Sequence, residues 1–249
     1  MRVTRLALVA AALVAPLVAA LADDRFREAN DLVRAGDYPK AIAVYGELAA
    51  SGQESASLYW NWAQAATARG AQGEALWALL RARELDPGDR AVVRDVERLR
   101  EALNLDPAEI APEPLAAAGR ATRRFRLDLV ALALLALSLG THTVVRVRPG
   151  ARWAFTTARA TLALGLLAAA VPVIASFARP TAAVVRRGAP LLDAASPTAE
   201  ATGSLREGEV VPVLEASGAW LRVEDNAGAR GWAHADDVRR LDAAPRPFD

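Results

Sequence analysis

The chain has 249 residues, 53% hydrophobic and 24% charged, with a net charge of +1 and no cysteine. So small a charge gives no field to attract nucleic acid, and the arginines cluster beside apolar runs rather than along an aromatic-lined face. The absence of cysteine excludes disulfides, thiol nucleophiles and thiolate metal sites, and leaves folding independent of redox compartment.

Apolar residues this abundant beside so much charge must be concentrated in blocks. The first block follows Arg2 and Arg5 as an uncharged run over 6–21, the order of an export signal. Ala20 and Ala22 frame an A-x-A site ahead of Asp23 and Asp24, so residues 1–22 are expected to be a signal peptide. A retained N-terminal anchor is the alternative.

Residues 23–103 carry an internal repeat. Ala29 matches Ala63, Gly36 matches Gly70 and Ala41 matches Ala75, each at an offset of 34 residues, the period of tetratricopeptide (TPR) repeats. The glycines fall where a turn between helices needs positive φ or close approach, and the alanines where helices touch. Helices are expected near 24–35, 39–50, 55–69 and 73–85, with Asp86-Pro87 ending the fourth. Val93, Val96, Leu99 and Leu103 make 90–103 an amphipathic cap for the stack. Two repeats and a cap make a short solenoid, which implies support from a membrane, a partner or self-association. The inner face of the first helix of each repeat presents Phe26, Asn30, Arg34, Trp60, Gln64 and Thr67 as a candidate protein-binding groove, with Trp60 equally suited to packing. The acidic residues here fall at helix-surface spacing and read as a solvated face rather than a catalytic pair.

Residues 104–126 read as a linker, first Pro-rich and acidic, then Arg-rich. Two uncharged runs follow, and both are long enough to cross a bilayer, so transmembrane helices are expected over 127–145 and 160–178. Pro172 should kink the second and Gly165 should mark a close helix contact. Arginine flanks both sides of the first span, so the positive-inside rule nearly ties. The export signal breaks the tie by placing both terminal modules outside the cytoplasm. Asp128 and His142 lie near span ends, an ordinary interfacial placement.

After Pro180 the pattern changes to short β-rich runs at 182–185, 190–192, 210–214, 220–223 and 231–233, separated by Gly, Ser and Asn turns, the spacing of a small barrel. The run "G-E-V-V-P-V-L-E-A-S-G-A-W-L-R-V…G-A-R-G-W-A" resembles bacterial SH3 domains over about 181–241, leaving 242–249 as a tail. The resemblance implies a bracing role for Trp220 and Trp232; an aromatic groove for a wall peptide or partner segment is the functional alternative. His234 has Asp236 and Asp237 nearby, but no nucleophile, base and orienting acid come together in sequence, and only His142 and His234 are available as imidazole ligands. No catalytic, cofactor or metal residues are assigned.

The expected fold class is therefore a multidomain α plus β membrane protein: an α-helical TPR solenoid, a two-helix transmembrane hairpin and a small SH3-like β-barrel. This order of modules, with Ala29-Asn30, Gly36-Asp37-Tyr38, Ala41-Ile42, Tyr45 and Leu58-Tyr59-Trp60-Asn61, resembles the E-type membrane protein of the Bacteroides aerotolerance (Bat) operons. Trp62 and Ala66 depart from it, standing where bulky aliphatic and aromatic residues are usual. The resemblance implies a bacterial inner-membrane protein acting with envelope partners, among them von Willebrand A-type membrane proteins and a MoxR-type ATPase, in aerotolerance or stress response. The expected function is a non-enzymatic scaffold or adaptor in the periplasm; the alternative is a wall-binding sensor whose SH3 module holds peptidoglycan.

Overall fold

The computed structural model describes residues 23–111, 115–147 and 152–242. The signal peptide expected at 1–22, part of the interhelical loop at 148–151 and the tail from 243 onward lie outside the described residues. Five helices open the fold: α1 over 23–34, α2 at Tyr38–Ala50, α3 at Ala56–Ala68, α4 at Gln72–Leu85 and α5 at Arg90–Ala102. Local chemistry sets their ends. Asp37, Ser55 and Asp89 accept hydrogen bonds from the free amides of α2, α3 and α5. Gly70, at φ +82°, turns the chain from α3 into α4 in a left-handed conformation that a side chain would strain.

The helices pack in succession, with Ala29, Ala41, Ala63 and Ala75 fully buried where backbones come close. Their core is aromatic: Trp62 and Trp77 meet edge to face at 5.1 Å, and Tyr59 lies within 6 Å of both rings. Buried Tyr45 donates its hydroxyl to Asn30 at 2.7 Å, and burial pushes its pKa up to about 12. The central element is α4, buried continuously from Gly73 to Ala82. A helix enclosed on every side must have neighbours on every side. Here α3 and α5 supply one flank and β1 the other.

The stretch at 104–126, expected to be a linker, is folded wherever it is described. Leu105 and Ile110 are buried in the same core as the helices, the second on a 3-10 turn at Pro107–Ile110. Helix α6 then spans Ala116–Phe125 and ends at Arg126, which is left-handed. Prolines and charge suggested a chain with little to bury, but two apolar residues suffice to pin it down.

Helices α7 (Leu127–Val147) and α8 (Arg152–Ala175) form an antiparallel pair, and both are long and apolar enough to cross a membrane. Leu132, Leu139 and Leu167 are each at least 65% exposed, an apolar outer surface of the kind a bilayer covers. Ser138 donates to the Ala158 carbonyl at 2.9 Å across the pair, and a Cβ at Gly165 would come within 3.0 Å of Leu135, the close contact expected there. Helix α8 begins before residue 160 because Arg159, which broke the uncharged run, folds its guanidinium over Phe155 at 4.2 Å and remains helical. Helix α6 lies beside the C-terminal end of α8, where Gly119 meets Ala175. The chain therefore enters and leaves the hairpin at one end.

Seven antiparallel strands follow: β1 Thr181–Val184, β2 Ala189–Leu192, β3 Ala201–Leu205, β4 Val210–Ser217, β5 Trp220–Glu224, β6 Arg230–His234 and β7 Val238–Arg240. Their order is β3-β2-β6-β5-β4-β1-β7. β3 and β7 are not paired to each other, so the sheet is open where a closed barrel was expected. Both edges are short, and β3 is exposed along its first four residues, which leaves little to drive closure. The interior is aliphatic, built on Val184, Leu191, Leu205, Val211 and Val223.

The helical and β layers meet at Gly73. Its amide donates to Glu207 at 2.8 Å, and a Cβ there would lie 2.7 Å from the Val185 carbonyl oxygen. At Gly70 a Cβ meets nothing within 4 Å. Gly73→Val should therefore loosen β1 and β7 against α4 by overpacking, costing about 1–3 kcal/mol, whereas Gly70→Val should strain only the helix turn. Hydrogen exchange at 181–184 and 238–240 checks this: protection should fall in the first variant and hold in the second, and equal protection would refute the contact.

Candidate functional site

Of the six residues expected to form a groove on the helices, three are engaged internally. Asn30 accepts from the Tyr45 hydroxyl and from Asn61 Nδ2, the latter at 2.9 Å. Trp60 is half-buried and donates its indole N–H to Asp95 of α5 at 2.9 Å. Phe26 packs against Tyr45 with ring centres 6.1 Å apart. Arg34, Gln64 and Thr67 are exposed; Arg34 pairs with Asp31 one turn away, and the Thr67 hydroxyl bonds back to the Ala63 carbonyl. The first three stabilise the helical unit, and the free chemistry of this face rests with Arg34 and Gln64.

The junction between helices and sheet contains charges that the sequence reading placed in solvent. Glu74 is only 4% exposed. It accepts from Trp62 Nε1 at 3.1 Å, from Arg69, and from Arg239 of β7 at 2.8 Å. The Arg239 guanidinium also lies 5.2 Å from the centre of the Trp77 ring. Trp77 Nε1 donates to the Arg240 carbonyl at 3.0 Å, and buried Arg81 reaches the Leu241 carbonyl and Glu54. Glu74, Trp77 and Arg81 stand at i, i+3 and i+7, a single stripe of α4. That spacing was readable in the sequence; what was missing was that a distant strand would cover it.

On the sheet, strand alternation separates two faces. Leu221, Val223 and Ala233 point into the aliphatic core. Trp220, Arg222, Trp232 and His234 share the opposite face, because Trp220 pairs with His234 and Arg222 with Trp232. Both tryptophans are half-buried, and neither belongs to the buried core that the expected bracing role required. Trp220 and His234 meet edge to face at 5.0 Å, and Arg222 faces Glu215 at 3.7 Å. Such a surface can stack on a sugar ring or an apolar side chain while Arg222 and Glu215 orient polar groups. His234 Nδ1 lies 3.1 Å from Asp236, whereas Asp237 pairs with Arg186, so the two acids beside His234 do not converge on it.

Residues 187–239 match the family model of the bacterial SH3 domain. The C-terminal module is thus a bacterial SH3 domain, which points to protein–protein or cell-wall binding. No curated protein and no solved structure matched the chain.

The buried ion pair gives a direct test of the junction. Arg239→Ala leaves Glu74 with fewer partners in a buried setting and should destabilise the protein by about 3 kcal/mol or more. Arg222→Ala removes a half-exposed pair and should cost less than about 1 kcal/mol. Thermal melting of the two variants compares them directly; similar losses would mean that the buried network does not hold the modules together.

Proposed function

We propose that this protein is a non-enzymatic scaffold or adaptor, anchored in the bacterial cytoplasmic membrane by α7 and α8, with its helical and SH3 modules outside the cytoplasm. The junction at Glu74, Trp77 and Arg81 supports this best. It joins the modules at one end of the hairpin and fixes their outward faces relative to each other, as a platform that positions other proteins requires. We read α1–α4 as two TPR repeats on the strength of the 34-residue offset, with α5 as their cap. The Bat-type resemblance supplies a setting: an aerotolerance or stress-response complex with von Willebrand A-type membrane proteins and a MoxR-type ATPase. A second reading, peptidoglycan binding by the SH3 domain, draws support from the two half-exposed tryptophans on one sheet face.

Co-purification from membranes separates the two readings. Arg34→Glu together with Gln64→Arg should reduce partner recovery about thirtyfold if that face contains an anchor worth about 2 kcal/mol. If these changes leave recovery intact while Trp220→Ala and Trp232→Ala abolish sedimentation with purified peptidoglycan, wall binding replaces the adaptor reading. Orientation has its own test: alkaline phosphatase fused at Pro107 or at the C-terminus should be active, and fused at Gly150 inactive. The reverse pattern would invert the topology.

A further inference from the structure

A cavity of about 380 Å³ opens where α4, α6, the C-terminal end of α8 and β1 converge. Five arginines line it against two carboxylates, Glu84 and Asp242. Glu84 is taken by Arg120 at 3.1 Å and by Arg123, Asp242 by Arg240, and Arg81 is held by Glu54 and the Leu241 carbonyl. Arg83 and Arg179 are left with no ion pair or hydrogen bond among the described residues. The Arg83 Nε is shielded from solvent and unpartnered. Burial, reinforced by Arg120 beside it, pulls the pKa of Arg83 below its ordinary value even though Glu84 and Glu97 act against the shift. A guanidinium nitrogen shielded from water and without an acceptor is costly unless an anion supplies one.

The position of the cavity and the rest of its lining indicate which anion. It adjoins the end of the hairpin at which α6 joins α7 and α8 leads into β1, and Leu85, Ile110, Ala175 and Ala178 give it an apolar side. Phe125, the last residue of α6, and Phe177, just beyond α8, are 59% and 73% exposed at this same end, the depth at which aromatic rings sit among lipid headgroups. We propose that the cavity binds the phosphate of an anionic phospholipid headgroup, with Arg83 and Arg179 as its donors and the apolar side against the glycerol and upper acyl carbons. This rests on the reading that α7 and α8 span a membrane. Bound lipid would then brace α4, α6 and β1 against the bilayer.

The test uses the full chain in mild detergent, with phosphatidylglycerol, phosphatidylcholine and inorganic phosphate as probes and retained adducts counted by native mass spectrometry. Phosphatidylglycerol should be preferred over phosphatidylcholine by about tenfold, the scale of one good charge-assisted contact. Arg83→Gln with Arg179→Gln should abolish that preference, and Arg146→Gln, at the other end of the hairpin, should preserve it. Arg179→Gln alone, at an exposed position, should weaken the preference without affecting the fold. The proposal fails if the double variant keeps the preference or if inorganic phosphate binds as tightly as the lipid, which would mark a site for free anions. Alkaline carbonate extraction of the wild-type chain from membranes would defeat the membrane-span reading separately, since the detergent measurement does not depend on it.

Discussion

A buried carboxylate governs this architecture. Glu74 sits on a helix with no solvent-facing side, and its charge is tolerable only because Trp62, Arg69 and Arg239 all donate to it. Two of those donors come from the helical unit and one from the last strand of the sheet, so the residue that most needs partners can be satisfied only when both modules are in place. Around it, Trp77 and Arg81 repeat the arrangement with main-chain carbonyls. Helix, sheet and the turn at 107–110 therefore share one apolar cluster that includes Ala183, Val210 and Leu241 as well as the helical core. What composition suggested as separate beads on a string is a joined body at one end of an apolar helical hairpin.

This joining redistributes the work of the surface residues. A short helical stack needs its open flank covered, and the SH3 domain covers the α4 flank while α5 covers the other. Trp60 and Asn30 contribute to that internal economy and are poor candidates for capturing a partner. The surfaces that remain open are the Arg34–Gln64 side of the helices and the Trp220–Trp232 side of the sheet. They differ in chemistry, one charged and amide-bearing, the other aromatic.

Much of this was legible beforehand, and the reasons are particular. The first four helices announced themselves through the 34-residue offset, Gly36, Gly70 and Asp86-Pro87, and the fifth through Val93, Val96, Leu99 and Leu103, so each boundary falls within two residues of expectation. Strands β4, β5 and β6 were visible from alternation and turn residues, whereas β3 reads A-T-G-S-L with four exposed positions and β7 has only three residues. Neither has a periodicity to detect. Helix α6 was hidden because its arginines suggested a linker, although the Glu84 carboxylate that two of them reach lies more than thirty residues earlier. In the candidate groove, Trp60 and Asn30 stand at the expected helical positions, and their partners Asp95, Tyr45 and Asn61 are set by tertiary neighbours that periodicity does not show.

Arg239 reaches Glu74 across 165 residues of sequence, over a path that includes both apolar helices. A chain growing from its N-terminus makes α4 early and the strand that neutralises it last. Until residues 239–241 arrive, Glu74 has only Trp62 and Arg69 as donors, Arg81 has only Glu54, and the Trp77 indole N–H lacks its acceptor. The helical unit is therefore a provisional structure during biosynthesis, and its completion requires that both apolar helices and the sheet have been made. A prematurely terminated chain would carry an open, sticky flank on α4, a feature by which chaperones and proteases could distinguish it from the finished protein.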